Sequence, residues 1–213
     1  MKFINFLMLW VCSAVAMAAT PIDGLYAEIS GGYAYVSPNV NQSYNNYTVN
    51  SPSYQAGYDA GGGIGYKSNP MRYEAQLTYL NANVRNFYLN NNLQTKPTGY
   101  NQAVLGFANI YLDVPMLNPL LQPYFGGGIG YGWFQGALNS SGPIIPVAVR
   151  AENSTFVYQG VAGITFNFSE NYALYLSYRY IGTANSLSSF GKIFQAQLGN
   201  VGAVYRFDEK KYK

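Results

Sequence analysis

The sequence predicts an all-β fold, an eight-stranded antiparallel up-and-down transmembrane β-barrel that follows a cleaved signal peptide. Eight segments alternate apolar and polar residues with a period of two. Charged residues make up only 10% of the chain, against about 25% in a typical soluble domain, while the chain holds 22 Tyr and 12 Phe. No segment after the leader has the roughly 20 apolar residues of a membrane helix. Because backbone polar groups must be paired inside a membrane, a closed barrel is the remaining way to span it.

The first element, residues 1–19, has the pattern of a secretory signal peptide. Lys2 gives a short positive region, residues 3–15 are predominantly apolar, and residues 16–18 (Ala-Met-Ala) form a small-x-small cleavage site. The apolar run is too short for a membrane-spanning helix. Cys12 is the only cysteine of the chain, so we expect neither a disulfide nor a thiolate metal site after cleavage.

The first four predicted strands differ in how clearly their two faces separate. Residues 24–36 place aliphatic and aromatic side chains on one face and Glu28 on the other. Residues 54–67 oppose aromatic and aliphatic residues to glycines, and residues 72–84 show the clearest alternation. Residues 100–113 are blurred, since both faces are apolar in the middle of the segment.

The last four predicted strands have a regular apolar face. Residues 124–134 set aliphatic and aromatic side chains against glycines, and residues 156–168 and 173–181 set them against polar side chains. Residues 198–207 end in Tyr-Arg-Phe. Lengths of about 9 to 14 residues suit tilted strands that cross a membrane.

The connections between the predicted strands alternate in length. The shorter ones are residues 68–70, 115–122 and 169–171. The longer ones are residues 38–53, 85–98, 136–154 and 182–192. Short turns belong at the periplasmic rim of such barrels and long loops outside the cell. The even number of strands then places both chain ends in the periplasm.

The polar faces carry eight charged residues that we expect inside the barrel. These are Glu28, Asp59, Lys67, Arg72, Glu74, Asp113, Arg179 and Arg206. Isolated buried charges are costly, so four acids and four bases are expected to pair in a salt-bridged plug, with Glu74 within reach of Arg72, Arg179 or Arg206. An ion path or gate is the alternative. Inward glycines are expected to make room for large neighbours such as Tyr26, Tyr111 and Tyr175.

Two features lie outside this interior. Most outward aromatic residues near the strand ends are expected to form girdles at the two membrane interfaces. Residues 144–149 (Ile-Ile-Pro-Val-Ala-Val) form an apolar run within a predicted loop. The run could be a strand extension that packs against a neighbouring loop, a lip that contacts lipid, or a contact for a partner.

Several short motifs follow one another in a characteristic order: the leader, Gly24-Leu25-Tyr26, Arg72-Tyr73-Glu74-Ala75, the glycine-rich run at 123–131 and Tyr205-Arg206-Phe207. In these motifs the chain resembles the opacity-protein-like, OmpA-type family of eight-stranded outer-membrane β-barrels. The resemblance implies a multi-pass protein of the bacterial outer membrane, in which Tyr205 and Phe207 act as the signal for the barrel assembly machinery. The barrel is expected over residues 20–207. Residues 208–213, five of which are charged, are then expected to be a solvated periplasmic tail.

Two functions are compatible with the sequence. The first is a plugged barrel that displays surface loops, for membrane integrity, adhesion or a surface-antigen role. The second is a narrow channel for small hydrophobic or ionic solutes. An enzyme is not expected, because the chain has no His to act as base, and neither a cofactor nor a metal site is indicated. Expected partners are outer-membrane lipid, lipopolysaccharide, the assembly machinery and host surface molecules contacted by the loops; nucleic acid is not expected.

Overall fold

The computed structural model describes residues 20–37, 41–44, 47–116, 118–143, 145–185 and 193–208. The predicted signal peptide and residues 209–213 of the predicted tail lie outside this part of the chain. No helix among the described residues is long and apolar enough to cross a membrane.

The regular secondary structure of the described chain consists of eleven β-strands. Their bounds are β1 (Gly24–Val36), β2 (Asn41–Tyr44), β3 (Tyr47–Tyr54), β4 (Gly57–Ser68), β5 (Met71–Leu89), β6 (Asn92–Leu93), β7 (Thr98–Asp113), β8 (Leu121–Ser140), β9 (Val147–Asn167), β10 (Tyr172–Thr183) and β11 (Gln195–Arg206).

Eight of these strands close into an antiparallel ring in the order β1, β4, β5, β7, β8, β9, β10 and β11. The ring is closed by β1 and β11, which pair from Tyr26 opposite Arg206 to Val36 opposite Ala196. The predicted eight-stranded antiparallel barrel is therefore confirmed. Because every strand of the ring has a neighbour on both sides, the ring leaves no edge with unpaired backbone groups.

The three remaining strands lie at one end of the ring. β2 and β3 form a hairpin, and β3 pairs with the last part of β5, where Val49 lies opposite Leu89 and Tyr54 opposite Val84. β6 pairs with the tip of β5. This end, at which β1, β5, β8 and β10 finish, is called the loop end. The opposite end, which holds the short connections and both ends of the described chain, is called the turn end.

The strands at one side of the ring are longer than the sequence predicted. β5, β8 and β9 have 19, 20 and 21 residues, whereas about 9–11 suffice to cross a membrane. The predicted loops at 85–98 and 136–154 are therefore wrong over most of their length. Only residues 141–146 connect β8 to β9.

The two faces of the wall exchange polarity along the strands, as β5 shows. Near the turn end its inward side chains are polar, from Arg72 to Thr78, and its outward ones are apolar or aromatic, as far as Tyr79. Beyond Tyr79 the inward side chains are apolar, beginning with Leu80, and the outward ones include Arg85. An apolar outer face suits lipid and an apolar inner face suits a core in water. The exchange therefore marks where the wall leaves the membrane.

Aromatic side chains on the outer face form two girdles, as predicted. The turn-end girdle comprises Tyr66, Tyr73, Phe125, Phe166, Phe168, Tyr172, Tyr205 and Phe207. The loop-end girdle comprises Tyr33, Tyr35, Tyr58, Tyr79, Tyr131, Trp133, Phe156, Tyr158, Tyr178 and Tyr180. Exposed aliphatic residues such as Ile29, Ile64, Leu176 and Val201 lie between them. Girdles that flank an apolar band are typical of barrels that span a membrane.

Candidate functional site in the barrel interior

All eight charged residues that the sequence assigned to the interior are buried inside the ring; the most exposed of them, Arg72, is 9% exposed. They belong to a polar layer that fills the barrel between the two girdles. Its main members are Tyr26, Glu28, Lys67, Arg72, Glu74, Gln76, Asn109, Asp113, Gln159, Tyr175, Arg179 and Arg206.

Asp113 holds the only ion pairs that join two described residues of the polar layer. Its carboxylate lies 2.7 Å from Lys67 Nζ and 2.9 Å from Arg72 Nε. The Arg72 guanidinium also lies over the rings of Tyr111 and Tyr124, at 5.0 and 4.5 Å from their centroids. Both Lys67 and Arg72 thus share a single counter-ion at the turn end, and the aromatic faces provide a further favourable environment for the guanidinium.

Glu74 is not paired with an arginine, so the expected ion pair with Arg72, Arg179 or Arg206 is wrong. Its carboxylate accepts hydrogen bonds from Tyr26 Oη at 2.9 Å, Tyr111 Oη at 3.0 Å and Asn109 Nδ2 at 3.3 Å. Hydrogen bonds to a charged acceptor are stronger than neutral ones, so three neutral donors can stabilise the buried carboxylate in place of a cation.

Glu28 follows the same rule. It accepts hydrogen bonds from Gln76 Nε2 at 3.0 Å and from the Tyr175 hydroxyl. Neither glutamate has a cation of the described chain within 4 Å. The two carboxylates are therefore held by tyrosine hydroxyls and amides that come from strands across the interior.

Arg179, Asp59 and Arg206 are also partnered by neutral groups. Arg179 donates to Gln159 Oε1 at 2.7 Å, to Gln76 Oε1 at 3.1 Å and to Thr78 Oγ1 at 3.2 Å. Asp59 accepts from Asn200 Nδ2 at 2.5 Å, and Arg206 donates to Asn167 Oδ1 at 2.7 Å. The predicted salt-bridged interior is thus corrected: three of the eight charges form ion pairs and the other five are held by hydrogen bonds.

The space among the glutamates and arginines in the middle of the polar layer is small. A cavity of about 20 Å³ lies between Glu28, Glu74, Arg72 and Arg179. About 10–15 Å³ is enough for one water molecule. Nη2 of Arg72 and Nη1 of Arg179 have no hydrogen-bond partner among the described residues, and both side chains line this cavity. Its donors and size suit a single water and no larger solute.

Inward glycines make room for the tyrosines of this layer, as predicted. A Cβ on Gly65 would lie 2.4 Å from Cζ of Tyr26, and a Cβ on Gly126 would lie 2.6 Å from Cδ1 of Tyr111. A Cβ on Gly202, in the last strand, would lie 2.3 Å from Cζ of Tyr175. The tyrosine rings therefore lie directly on the glycine backbone of a neighbouring strand.

A second filling, which sequence reasoning missed, closes the loop end. This apolar cap consists of Ala34, Val36, Val49, Leu80, Ala82, Val84, Phe87, Leu89, Ala103, Leu105, Phe107, Phe134, Leu138, Val147, Val157, Ile181, Phe194, Ala196 and Leu198. The rings of Phe134 and Phe194 lie 4.8 Å apart at their centroids, and neither is exposed. All four connections of the loop end, or the strand ends beside them, contribute a side chain. The apolar inner residues of β7 belong to this cap. For this reason both faces of β7 are apolar in the middle of the strand.

The apolar run at 144–149 is a strand extension that packs into the cap, the first of the three alternatives. Val147 is 2% exposed, and Ile145 and Val149 pack against the cap residues. Residue 144 lies outside the described part of the chain.

No group of three or more His, Cys, Asp or Glu side chains in the described ranges could hold a metal ion. The interior therefore combines a hydrogen-bonded polar layer within the membrane and an apolar cap above it, and its geometry is that of a filled barrel.

Comparison with known proteins agrees with this architecture. The model of the outer membrane protein beta-barrel domain family matches residues 4–207. The chain belongs to this family and is a protein of the bacterial outer membrane. Because barrels of this kind have short turns in the periplasm, we expect the loop end to face the outside of the cell.

Individual relatives are distant. An outer membrane protein of Gluconacetobacter diazotrophicus is 28% identical over 212 residues, which cover 85% of this chain and 52% of that protein. The chain thus spans about half the length of this curated relative.

Solved structures share the fold. Neisserial surface protein A aligns with a TM-score of 0.55 at 14% identity, covering 86% of this chain and 97% of its own. OprG from Pseudomonas aeruginosa aligns at 0.58 and 13% identity, covering 88% and 98%. A major outer membrane protein from Thermus thermophilus aligns at 0.53 and 11% identity, covering 86% and 99%.

Proposed function

We propose that this protein is a closed outer-membrane barrel whose filled interior stabilises the wall and whose loop end contacts molecules outside the cell. It would serve membrane integrity, adhesion or a surface-antigen role, and it would neither conduct solutes nor catalyse a reaction. The observation that carries the proposal is the double filling of the interior, by the polar layer and by the apolar cap.

The polar layer supports a non-conducting barrel because its side chains bond to one another across the interior. Gln159 Nε2 donates to Asn109 Oδ1 at 2.6 Å, and Arg179 donates to Gln76 on the opposite strand at 3.1 Å. An ion would have to break these buried hydrogen bonds, each of which is worth roughly 0.5–1.5 kcal/mol net and more where a charge takes part. The cavity that lies among the two glutamates, Arg72 and Arg179 has only about 20 Å³, too little for a hydrated ion.

The part of the wall that rises above the loop-end girdle supports a role in surface contact. β5, β8 and β9 extend beyond the membrane on one side of the ring, and their outward residues there include Arg85, Asn139, Arg150 and Glu152. The cap holds these extensions from inside, so they present a rigid polar surface. Partners bind more readily to a surface that does not need to be ordered first.

A channel for small hydrophobic solutes is the second candidate, because the cap offers an apolar environment at the outer mouth. Such a solute would still meet the polar layer below it. The alternative therefore requires that the cap and the polar layer both open.

Conductance distinguishes the two candidates. The purified barrel, inserted in planar bilayers, is expected to show no discrete current steps, and liposomes that contain it are expected not to take up small sugars or small hydrophobic solutes. A Phe134→Ala/Phe194→Ala double variant, which removes the two rings at the centre of the cap, is expected to remain closed as well, because the polar layer below the cap is unchanged. Current steps or solute uptake by the unmodified protein, with heat-modifiable migration that proves it folded, would contradict the proposal.

Surface contact can be tested with a matched pair of loop variants. Replacing residues 139–149 by a tight turn removes the tip of the β8–β9 hairpin, and replacing residues 90–97 removes the tip of β5–β7. Cells that display each variant are compared for binding to host cells and to purified matrix proteins. We expect the first variant to lose more binding than the second, since the β8–β9 hairpin extends furthest; equal binding by all three forms would contradict an adhesive role.

A further inference from the structure

A groove of about 440 Å³ lies on the outer face of the barrel at the level of the loop-end girdle. The residues that matter for its chemistry are Tyr33, Tyr35, Arg85, Tyr178, Gln197 and Gly199. Sites for small molecules typically have about 300–1,000 Å³, so its size suits a headgroup-sized ligand.

The groove results from the register of three neighbouring strands. Gly199 of β11 lies opposite Tyr33 of β1 on one side and opposite Tyr178 of β10 on the other. A Cβ on Gly199 would meet no atom within 4 Å, so the space above this glycine is open. Tyr33 and Tyr178 are 79% and 51% exposed. Their rings form the two walls of a slot, and the backbone at Gly199 forms its floor.

The slot continues in two directions of different chemistry. Toward the membrane centre the next outward row holds Gly31, Val201 and Leu176, which form a smooth apolar track. Away from the membrane the next row holds Tyr35 and Gln197, a phenol hydroxyl and an amide. An apolar lower part and a polar upper part match a lipid whose acyl chain lies against the barrel and whose headgroup lies at the interface.

Arg85 supplies the charge at the polar end of the groove. It is exposed, and it forms no ion pair or hydrogen bond with any residue that the structure describes. Every arginine in the polar layer, by contrast, has a protein partner. A guanidinium at a membrane interface is the side chain best suited to phosphate, because its planar fork can donate two parallel hydrogen bonds.

We propose that this groove binds a phosphate-bearing saccharolipid of the outer leaflet. The phosphate contacts Arg85 and the hydroxyl of Tyr35, and an acyl chain lies on the apolar track below Gly199. The occupant is a lipid because the groove lies on the outer face of the barrel at the membrane interface and its lower part is apolar. Binding of this lipid does not depend on whether the interior conducts solutes.

Charge-selective binding provides the test. The protein is purified from outer membranes and placed in nanodiscs of zwitterionic lipid, and its urea unfolding midpoint is measured with increasing rough lipopolysaccharide. Rough lipopolysaccharide from which phosphates have been removed enzymatically and inorganic phosphate alone are run in parallel. We expect the intact lipid to raise the midpoint, and the dephosphorylated lipid and free phosphate to leave it unchanged.

Variants locate the effect in the groove. Arg85→Gln is expected to weaken the apparent affinity about tenfold, the loss of one charge-assisted contact, and Gly199→Leu is expected to weaken it by filling the slot without changing the charge. Arg150→Gln, which removes an exposed arginine of the loop end away from the groove, is expected to bind like the unmodified protein. An equal loss in Arg150→Gln, a normal affinity in Arg85→Gln, or equal binding of the dephosphorylated lipid would each overturn the proposal.

Discussion

Buried charges in the barrel differ in how they are neutralised, and this difference decides what each one contributes to stability. Asp113 is the counter-ion of two cations, Lys67 and Arg72, at 2.7 and 2.9 Å. Glu74 neutralises none and depends on hydroxyl and amide donors instead. Removing one partner of a buried ion pair leaves an uncompensated charge, whereas an amide can replace a carboxylate as a hydrogen-bond acceptor.

This contrast gives the first prediction. Asp113→Asn is expected to lower the free energy of unfolding by about 3–5 kcal/mol, because it leaves two buried cations without a counter-ion. Glu74→Gln, the matched control, is expected to cost about 1–2 kcal/mol, since its amide oxygen still accepts from Tyr111 and Asn109 and its amide nitrogen can donate to the hydroxyl oxygen of Tyr26. The urea unfolding midpoint of the refolded proteins in detergent measures both. Equal losses, or a larger loss for Glu74→Gln, would contradict the assignment of Asp113 as the shared counter-ion.

The second prediction concerns the glycines beneath the tyrosines. Gly202→Ala would place a Cβ 2.3 Å from Cζ of Tyr175, so the ring must move and its hydrogen bond to Glu28 must loosen. We expect a loss of about 1–3 kcal/mol, as for overpacked cores. Gly160→Ala is the control, because a Cβ there meets nothing within 4 Å. If both variants unfold at the same urea concentration, the position of the Tyr175 ring does not depend on the absence of a side chain at residue 202.

At the scale of the strand, alternation in the sequence predicts which face a residue occupies but not which residues meet across the barrel. The inward placement of Glu74 and Arg179 could be read from their strands. The distance between these two side chains across the barrel depends on the register and tilt of the strands between them, which a local sequence pattern does not predict. For this reason the buried set was predictable, whereas the division into ion pairs and hydrogen bonds was not.

The strand extensions were missed for a different reason. The segments predicted as loops, 85–98 and 136–154, carry outward polar residues such as Arg85 and Glu152, which do not fit a lipid-facing strand. Period-two alternation in fact continues there with its polarity exchanged, from Leu80 through Val84 to Leu89 on the inner face. Alternation alone, whichever face is apolar, therefore predicts β5 at nearly its full length.

The last strand carries the third prediction. Phe207 continues the pairing of β11, since its backbone N–H donates to the carbonyl of Leu25 at 2.9 Å, and its ring lies 5.0 Å from that of Tyr205 in the turn-end girdle. Phe207→Ser is expected to reduce the yield of heat-modifiable protein in outer membranes, because the assembly machinery would lose the aromatic end of this strand.

Tyr172→Ser is the matched control for Phe207. Tyr172 lies in the same girdle, with its ring 5.1 Å from that of Tyr205, but it belongs to β10. If the two variants insert equally well, the girdle alone explains the role of Phe207, and Tyr205 and Phe207 are not a terminal assembly signal.

At the scale of the whole molecule, the exchange of polarity divides the single barrel into two parts with opposite inner and outer faces. Within the membrane it has an apolar outside and a polar inside; above the loop-end girdle it has a polar outside and an apolar inside. The same strands continue through both parts, so backbone pairing is uninterrupted while the solvent outside changes from lipid to water. The position of the exchange therefore predicts both the orientation of the barrel and how far its wall extends above the membrane.

The fourth prediction tests this orientation by labelling. In a Cys12→Ser background, Asn139→Cys places a thiol on the outer face of the β8 extension, and Glu170→Cys places one in the turn between β9 and β10; both positions are exposed. A membrane-impermeant maleimide is expected to label Asn139→Cys on intact cells, because β8 should carry residue 139 beyond the lipid. Glu170→Cys should be labelled only after the outer membrane is permeabilised. Labelling of Glu170→Cys alone on intact cells would mean that the barrel is inserted the other way round, and protection of both would mean that the β8–β9 extension lies within the membrane.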